Sequence, residues 1–204
     1  MRHPSYYGLY ESNITKEQAR KLLVIPHDAF VYSFVGHIKE YKGVLDLINA
    51  FKNNGLKDSY LLIAGLVSND YLNNQINTII YKTTNIIFRN EFIPDNDIQL
   101  YYKSADIVVF PFKKILTSGS VLLAQSFGKP VIIPKINSLL DNIYIPGTYT
   151  YKINNINELS NVMKKVYFEK ELFVEKSEKK IEDWAKENSW EKFALKTKEA
   201  YSKI

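Results

Sequence analysis

Two short stretches carry residue types that could hold an anion. In the first, Gly36-His37-Ile38-Lys39-Glu40-Tyr41-Lys42-Gly43, two lysines lie three apart between two glycines. Glycine lets backbone come close to a phosphate, and a helix starting after Gly43 would offer free N–H groups and a partial positive charge. Lys39 and Lys42 add point charges. The stretch is not a P-loop, because no Gly-Lys-Ser/Thr follows at the right spacing, and it is not a GxGxxG turn. A structural turn with solvated lysines is the plainer alternative. In the second stretch, Leu116-Thr117-Ser118-Gly119-Ser120, three hydroxyls and free amides gather before an apolar run. Such a start caps a helix and equally binds a diphosphate.

Other chemistries find no support. The chain has no cysteine, which removes disulfides, thiolate metal sites and cysteine nucleophiles. His3, His27 and His37 are scattered without a second ligand at metal spacing, so no metal is expected. Asp95, Asn96 and Asp97 look like ligands but precede a short helix, where capping is the simpler role. No Gly-x-Ser-x-Gly elbow occurs.

The elements that must position the two stretches alternate regularly. Apolar runs at residues 30–35, 60–64, 86–88, 107–110 and 131–133, with another near 148–151, read as strands. Between them residues 43–51, 71–81, 97–103, 118–127 and 157–167 read as helices, after a first helix at 15–23 that opens on the capping box of Thr15 and Gln18. Either Asp95 or Asn96 would cap the helix at 97–103, and Gly128 would end the one at 118–127. Continuous apolar strands in this alternation predict an α/β fold, a single Rossmann-like domain whose parallel sheet is covered by helices on both faces. Ligands of such sheets bind beyond the carboxyl ends of the strands, and both anion stretches fall on that edge. Residues 169–204 form a charge-rich tail of two helices, with Phe173, Ile181, Trp184, Trp190, Phe193 and Tyr201 as an apolar stripe. The stripe either closes the sheet or docks another domain.

Composition bounds the function. At 204 residues, 46% hydrophobic and 24% charged, the chain makes one domain with a sizeable core, and disorder is excluded. No run is long and apolar enough for a membrane span or a signal peptide, and a cytoplasmic protein fits. The net charge of +5 comes almost entirely from lysine, with arginine only at Arg2, Arg20 and Arg89. Base reading in a duplex groove favours arginine, so no nucleic-acid partner is expected; nonspecific binding would reveal itself by a steep salt dependence. The same charge permits peripheral attachment to the inner face of the cytoplasmic membrane.

Five motifs in register carry a resemblance: residues 34–44, Leu62-Ile63-Ala64-Gly65, residues 105–111, residues 118–124, and Phe127-Gly128-Lys129-Pro130-Val131-Ile132. Together they resemble the C-terminal, nucleotide-sugar donor domain of a glycosyltransferase family 4 enzyme (glycosyl transferases group 1), half of a GT-B fold. His3-Pro4-Ser5-Tyr6-Tyr7 resembles the segment joining its two domains, which divides the chain into a linker-like segment and first helix at 1–29, the donor-binding domain at 30–168 and the tail at 169–204.

The resemblance implies a retaining, metal-independent transferase without cofactor. Its substrate would be a nucleotide-sugar such as a UDP- or GDP-sugar, and its product a surface polysaccharide or glycolipid. Gly36 would lie close to the donor phosphates, Lys42 would be the phosphate-binding lysine, and His37 stands where the family has arginine, with Lys39 replacing it. Thr117, Ser118, Gly119 and Ser120 match the loop whose amides touch the donor; Glu91 and Phe92 match the region that contacts the base. The family's paired glutamates, for the transferred sugar and the ribose, fall at Ile115 and Leu123, neither of them acidic. Leu123 is thus expected beside the nucleoside, and no catalytic residue is named. The family places its acceptor in an N-terminal domain. This chain is therefore expected to bind donor but to need that domain, or a partner subunit, for transfer; a non-catalytic scaffold or split-enzyme subunit is the alternative.

Overall fold

Residues that are β-branched, aromatic or aliphatic at almost every position cannot leave either face in water, and the first strand shows the result. β1 (Phe30–Val35) is buried along its whole length, as is β5 (Val131–Pro134). With β2 (Ser59–Ala64), β3 (Ile86–Arg89), β4 (Ile107–Val109) and β6 (Thr148–Tyr151) they form one six-stranded sheet, order β3-β2-β1-β4-β5-β6. Every pairing is parallel, for example Phe34 beside Ile63 and Val108 beside Val131. The computed structural model describes residues 3–115, 118–141, 143–144 and 147–202, with the side chains of 171–176 excepted.

The helices follow local signals. α1 (Lys16–Leu22) carries the complete Thr15–Gln18 capping box. α2 (Val44–Asn54), α3 (Asp70–Ile80), α4 (Ile98–Ser104) and α5 (Gly119–Ser126) cover the sheet, with Asn69 and Ser118 capping α3 and α5. α7 (Ile156–Phe168), capped by Asn155, packs on α2 and accepts a hydrogen bond from Tyr32 in β1. Two expectations change. Asp95 and Asn96 cap nothing with their side chains; they begin a 3-10 turn at Asp95–Asp97 that runs straight into α4. A further helix, α6 (Asn137–Leu140), is too short to show a period in sequence.

The tail divides. α8 (Lys170–Glu187) packs on α5, burying Ile181 and Ala185, and Glu178 receives the buried ammonium of Lys129 at 2.6 Å. Burial holds that ammonium below the ordinary lysine range, and Glu178 works against the shift. α9 (Trp190–Tyr201) buries no residue and leaves Trp190, Leu195 and Tyr201 exposed. The leading segment is tied to this end: Ser5 bridges to Ser189 and its hydroxyl donates to the Ala185 carbonyl.

Buried tyrosines make the fold sensitive to alkali. Burial pushes up the hydroxyls of Tyr32, Tyr102 and Tyr151, and those of Tyr101 and Tyr149 to about 12. Unfolded tyrosines ionise near pH 10, so above that pH the folded state holds more protons and loses stability, by up to ~1.4 kcal/mol per pH unit for each group. Depressed lysines at 42 and 129 act oppositely, but only up to the free lysine value of about 10.4. Urea unfolding midpoints should therefore fall between pH 10 and pH 11.5; a flat profile would show these hydroxyls to be solvated.

Candidate functional site

The strand order reverses at β1: the chain runs outward to β2 and β3, then returns to β4 on the other side. The loops after β1 and β4 straddle that crevice, where open parallel sheets bind ligands. Gly36 leaves β1 at φ +133 and Gly65 leaves β2 at φ +144, backbone states that L side chains rarely adopt. They touch: a Cβ on Gly65 would stand 2.0 Å from the Gly36 carbonyl oxygen. Beyond them Ile38 and Leu66 continue the pairing through a 2.9 Å hydrogen bond.

From there the first loop makes a 3-10 turn at Glu40–Lys42 and enters α2 at Gly43, at φ +72, where the lack of a Cβ leaves room for the Pro111 carbonyl. The amide of Lys113 donates to the Tyr41 carbonyl at 2.8 Å, so the loops after β1 and β4 are joined by backbone. Lys42 lies half-buried with Nζ 4.5 Å from the Phe112 ring centroid. Burial, and secondarily the charge of Lys39, hold its ammonium below the ordinary lysine range. Among the described residues no carboxylate pairs with it.

Across the crevice α5 begins. The Ser118 hydroxyl accepts from the Val121 amide, so it caps the helix. Ser120, in the first turn, turns its hydroxyl to the opposite loop, 3.8 Å from where a Cβ on Gly36 would stand. Gly119 faces the Tyr6 hydroxyl, which would lie 3.0 Å from a Cβ at that position.

Between the loops opens a cavity of about 250 Å³. Of the residues expected from sequence it gathers Gly36, His37, Phe92, Ser120 and Leu123. It does not gather the others. Lys39 lines a separate hollow with Tyr71 and Lys113, and Lys42 sits over Phe112. Glu91 lies outside the wall and accepts from the Tyr101 hydroxyl at 3.1 Å. Thr117 lies outside the described residues. Sequence reasoning missed Ile98 and Tyr102, which line the cavity one turn apart on α4, and Ile93 beside Phe92. The spacing of four between two apolar residues straight after the β3 loop was the available signal. Tyr102 is 1% exposed and stacks on Phe127, whereas Phe92 is 75% exposed at the rim. The wall is thus apolar and aromatic toward α4, with glycine backbone, His37 and a helix start at the other end. An apolar ring system joined to an anionic group fits that division.

The profile of the family described as Glycosyl transferases group 1 matches residues 15–197. Sucrose-phosphate synthase from Thermosynechococcus elongatus superposes at a TM-score of 0.77 with 19% identity, covering 92% of this chain and 48% of that one. HepE of Anabaena, solved with UDP, gives 0.79 and 15%, over 93% and 52%. The C-terminal domain of a glycosyl transferase group 1 protein from Francisella tularensis gives 0.70 and 17%, over 85% and 92%. No curated protein matches the chain in sequence. The chain spans about half the length of the first two of these structures. At these identities the likeness establishes the fold, one Rossmann-like half of the GT-B architecture. The family match, which covers most of the chain, shows that it belongs to the glycosyl transferases group 1 family.

Proposed function

We propose that this chain is the nucleotide-sugar donor-binding domain of a retaining, metal-independent glycosyltransferase that builds a surface polysaccharide or glycolipid. The observation that carries the reading is the cavity at the switch point, closed on one side by Gly36 and on the other by the first turn of α5. HepE, with the same fold, has been solved with UDP and with UDP-glucose, which supports a UDP-sugar here.

Transfer releases a nucleoside diphosphate, and negative charge grows on its β-phosphate as the glycosidic bond breaks. In the proposed mechanism the free amides of α5 orient that phosphate, and Lys42, half-buried over Phe112 outside the cavity wall, offsets its charge. Burial holds the Lys42 ammonium below the ordinary lysine range, and an arriving dianion works against that shift. The acceptor belongs to a second domain or partner subunit, for which the exposed Trp190, Leu195 and Tyr201 of α9 offer an apolar face. Attachment at the inner face of the cytoplasmic membrane belongs to the same reading, as the +5 charge suits anionic lipid. The scaffold alternative draws on one observation, the absence of a carboxylate at Ile115 and Leu123.

Lys42→Ala is the test. Loss of a charge-assisted contact to phosphate should weaken UDP or GDP binding about 10- to 100-fold, as hydrogen bonds to charged groups contribute ~1.5–3 kcal/mol. Calorimetric titration of both proteins reads this directly. A dissociation constant within twofold of wild type would remove Lys42 from the phosphate site.

A further inference from the structure

We infer that this cavity holds its nucleotide without gripping the ribose hydroxyls, so that 2′-deoxynucleoside diphosphates, and sugar donors built on them, bind at least as tightly as ribonucleotides. The inference rests on the donor-binding reading of the same site.

The argument begins with α5. Ser120 faces Gly36 at the anion end, and Leu123 follows three residues later on the same helix face and lines the same cavity. Residues so spaced lie roughly 5–6 Å apart, about the step from a diphosphate to its sugar. A nucleotide with its phosphates at the start of α5 therefore lays its ribose against Leu123. Beyond it lie Ile98 and Tyr102 of α4, with Phe92 and Ile93 placed to take the base.

A ribose presents two neighbouring hydroxyls, both donors, and a carboxylate is the side chain that accepts from both at once. Among the described residues none lines this cavity. Glu91, next to Phe92 in sequence, lies outside the wall and already accepts a hydrogen bond from the Tyr101 hydroxyl. Among the described residues the polar side chains of the wall are few. His37 and Ser120 flank Gly36 at the anion end, and Tyr102 offers a single hydroxyl from a ring buried against Phe127. The rest of the side-chain wall is Val35, Leu66, Phe92, Ile93, Ile98 and Leu123.

A hydroxyl that leaves water for such a wall without a partner weakens binding. Sites built to bond a hydroxyl reject the analogue lacking it by roughly 10⁴-fold, whereas an apolar pocket disfavours an added hydroxyl by at most about 10²-fold. The two cases differ in sign as well as size, which makes the ratio of affinities decisive.

The experiment is calorimetric titration of the full chain with UDP and dUDP, GDP and dGDP, and TDP. The expected result is a deoxy form that binds equally or up to about 100-fold more tightly than its ribo partner. Leu123→Glu, which puts a carboxylate where the ribose lies, should reverse the order and favour the ribo form about tenfold, in keeping with a charged hydrogen bond. A wild-type chain that prefers the ribo form tenfold or more overturns the inference and leaves the donor site standing. A folded Leu123→Glu chain with the wild-type ratio overturns the placement of the ribose against Leu123. Binding of none of the five nucleotides overturns both this inference and the donor-binding reading.

Discussion

Gly65→Ala should abolish measurable nucleotide binding and lower the free energy of unfolding by about 2–6 kcal/mol, the sum of backbone strain at positive φ and overpacking. The added methyl would meet the Gly36 carbonyl oxygen at 2.0 Å and its carbon at 2.7 Å, and both are backbone that no side-chain rotation can clear. Relief requires moving the end of β1 away from β2. That shift carries Gly36 and His37 with it, the residues that form the anion end of the cavity. Gly36→Ala is the matching control. Among the described residues its methyl would meet just the Ser120 hydroxyl, at 3.8 Å, so strain at φ +133 is what opposes it. The methyl would nonetheless stand between Gly36 and Ser120, so this variant should fold better than Gly65→Ala and still bind poorly. Urea unfolding and a nucleotide titration on both proteins measure the difference. A Gly65→Ala chain with the wild-type midpoint would show that the two loops do not need their contact.

The second large effect lies at the opposite edge of the sheet. Asp106, just before β4, accepts from the Arg20 guanidinium at 2.7 Å, from the Val31 amide at 2.7 Å and from the Lys16 ammonium at 2.5 Å. Arg20 donates in addition to the carbonyls of Ser104 and His27. The side chains of Arg20 and Asp106 are only 5% and 8% exposed. Asp106→Ala leaves a guanidinium buried without its carboxylate, a change that costs about 3–5 kcal/mol. It should detach α1 and lower the thermal midpoint by about 6–20 °C, at ~2–4 °C per kcal/mol for a chain of this size. Replacing both partners, Arg20→Met with Asp106→Leu, removes the stranded charge and should recover part of the loss, leaving the Val31 amide unpaired. Because this network is remote from the cavity, the folded fraction of Asp106→Ala should bind nucleotide as wild type does. A loss of binding in that fraction would mean that the amino edge and the site are coupled.

What could be read from residues alone divides along a physical line. Strands such as β1 and β5 were legible because burial on both faces forces a continuous apolar run, and caps such as Thr15 and Ser118 because their bonds span three residues. The order of the strands was not legible from periodicity, since it depends on which apolar runs pair at long range. Asp95 and Asn96 read as caps by type, yet the chain enters α4 from a 3-10 turn whose backbone leaves their side chains no amide to accept. At the site, Gly36 and Ser120 follow from local events, a glycine leaving a strand and a helix start, whereas Leu123 was expected only through the family resemblance. Lys39 and Lys42 did not separate in sequence. An extended backbone at Lys39 precedes the turn that holds Lys42, and this sends the former to the hollow beside Tyr71 and the latter onto Phe112. The tail behaved as two things at once, α8 closing the domain through Ile181 and Lys129, and α9 keeping its aromatic face exposed.

The central claim is that a nucleoside diphosphate occupies the crevice between Gly36 and the start of α5. Two-dimensional amide NMR of the chain, titrated with UDP, GDP and ADP and with their sugar conjugates, tests it most directly. The account predicts saturable shifts with at least one nucleotide. They should centre on Gly36, Gly65, Phe92, Ser120 and Leu123, leave residues around Asp106 unmoved, and require about 10- to 100-fold more nucleotide with Lys42→Ala. Absence of shifts with every nucleotide, or shifts centred elsewhere in a folded chain, would contradict it and favour a non-catalytic scaffold.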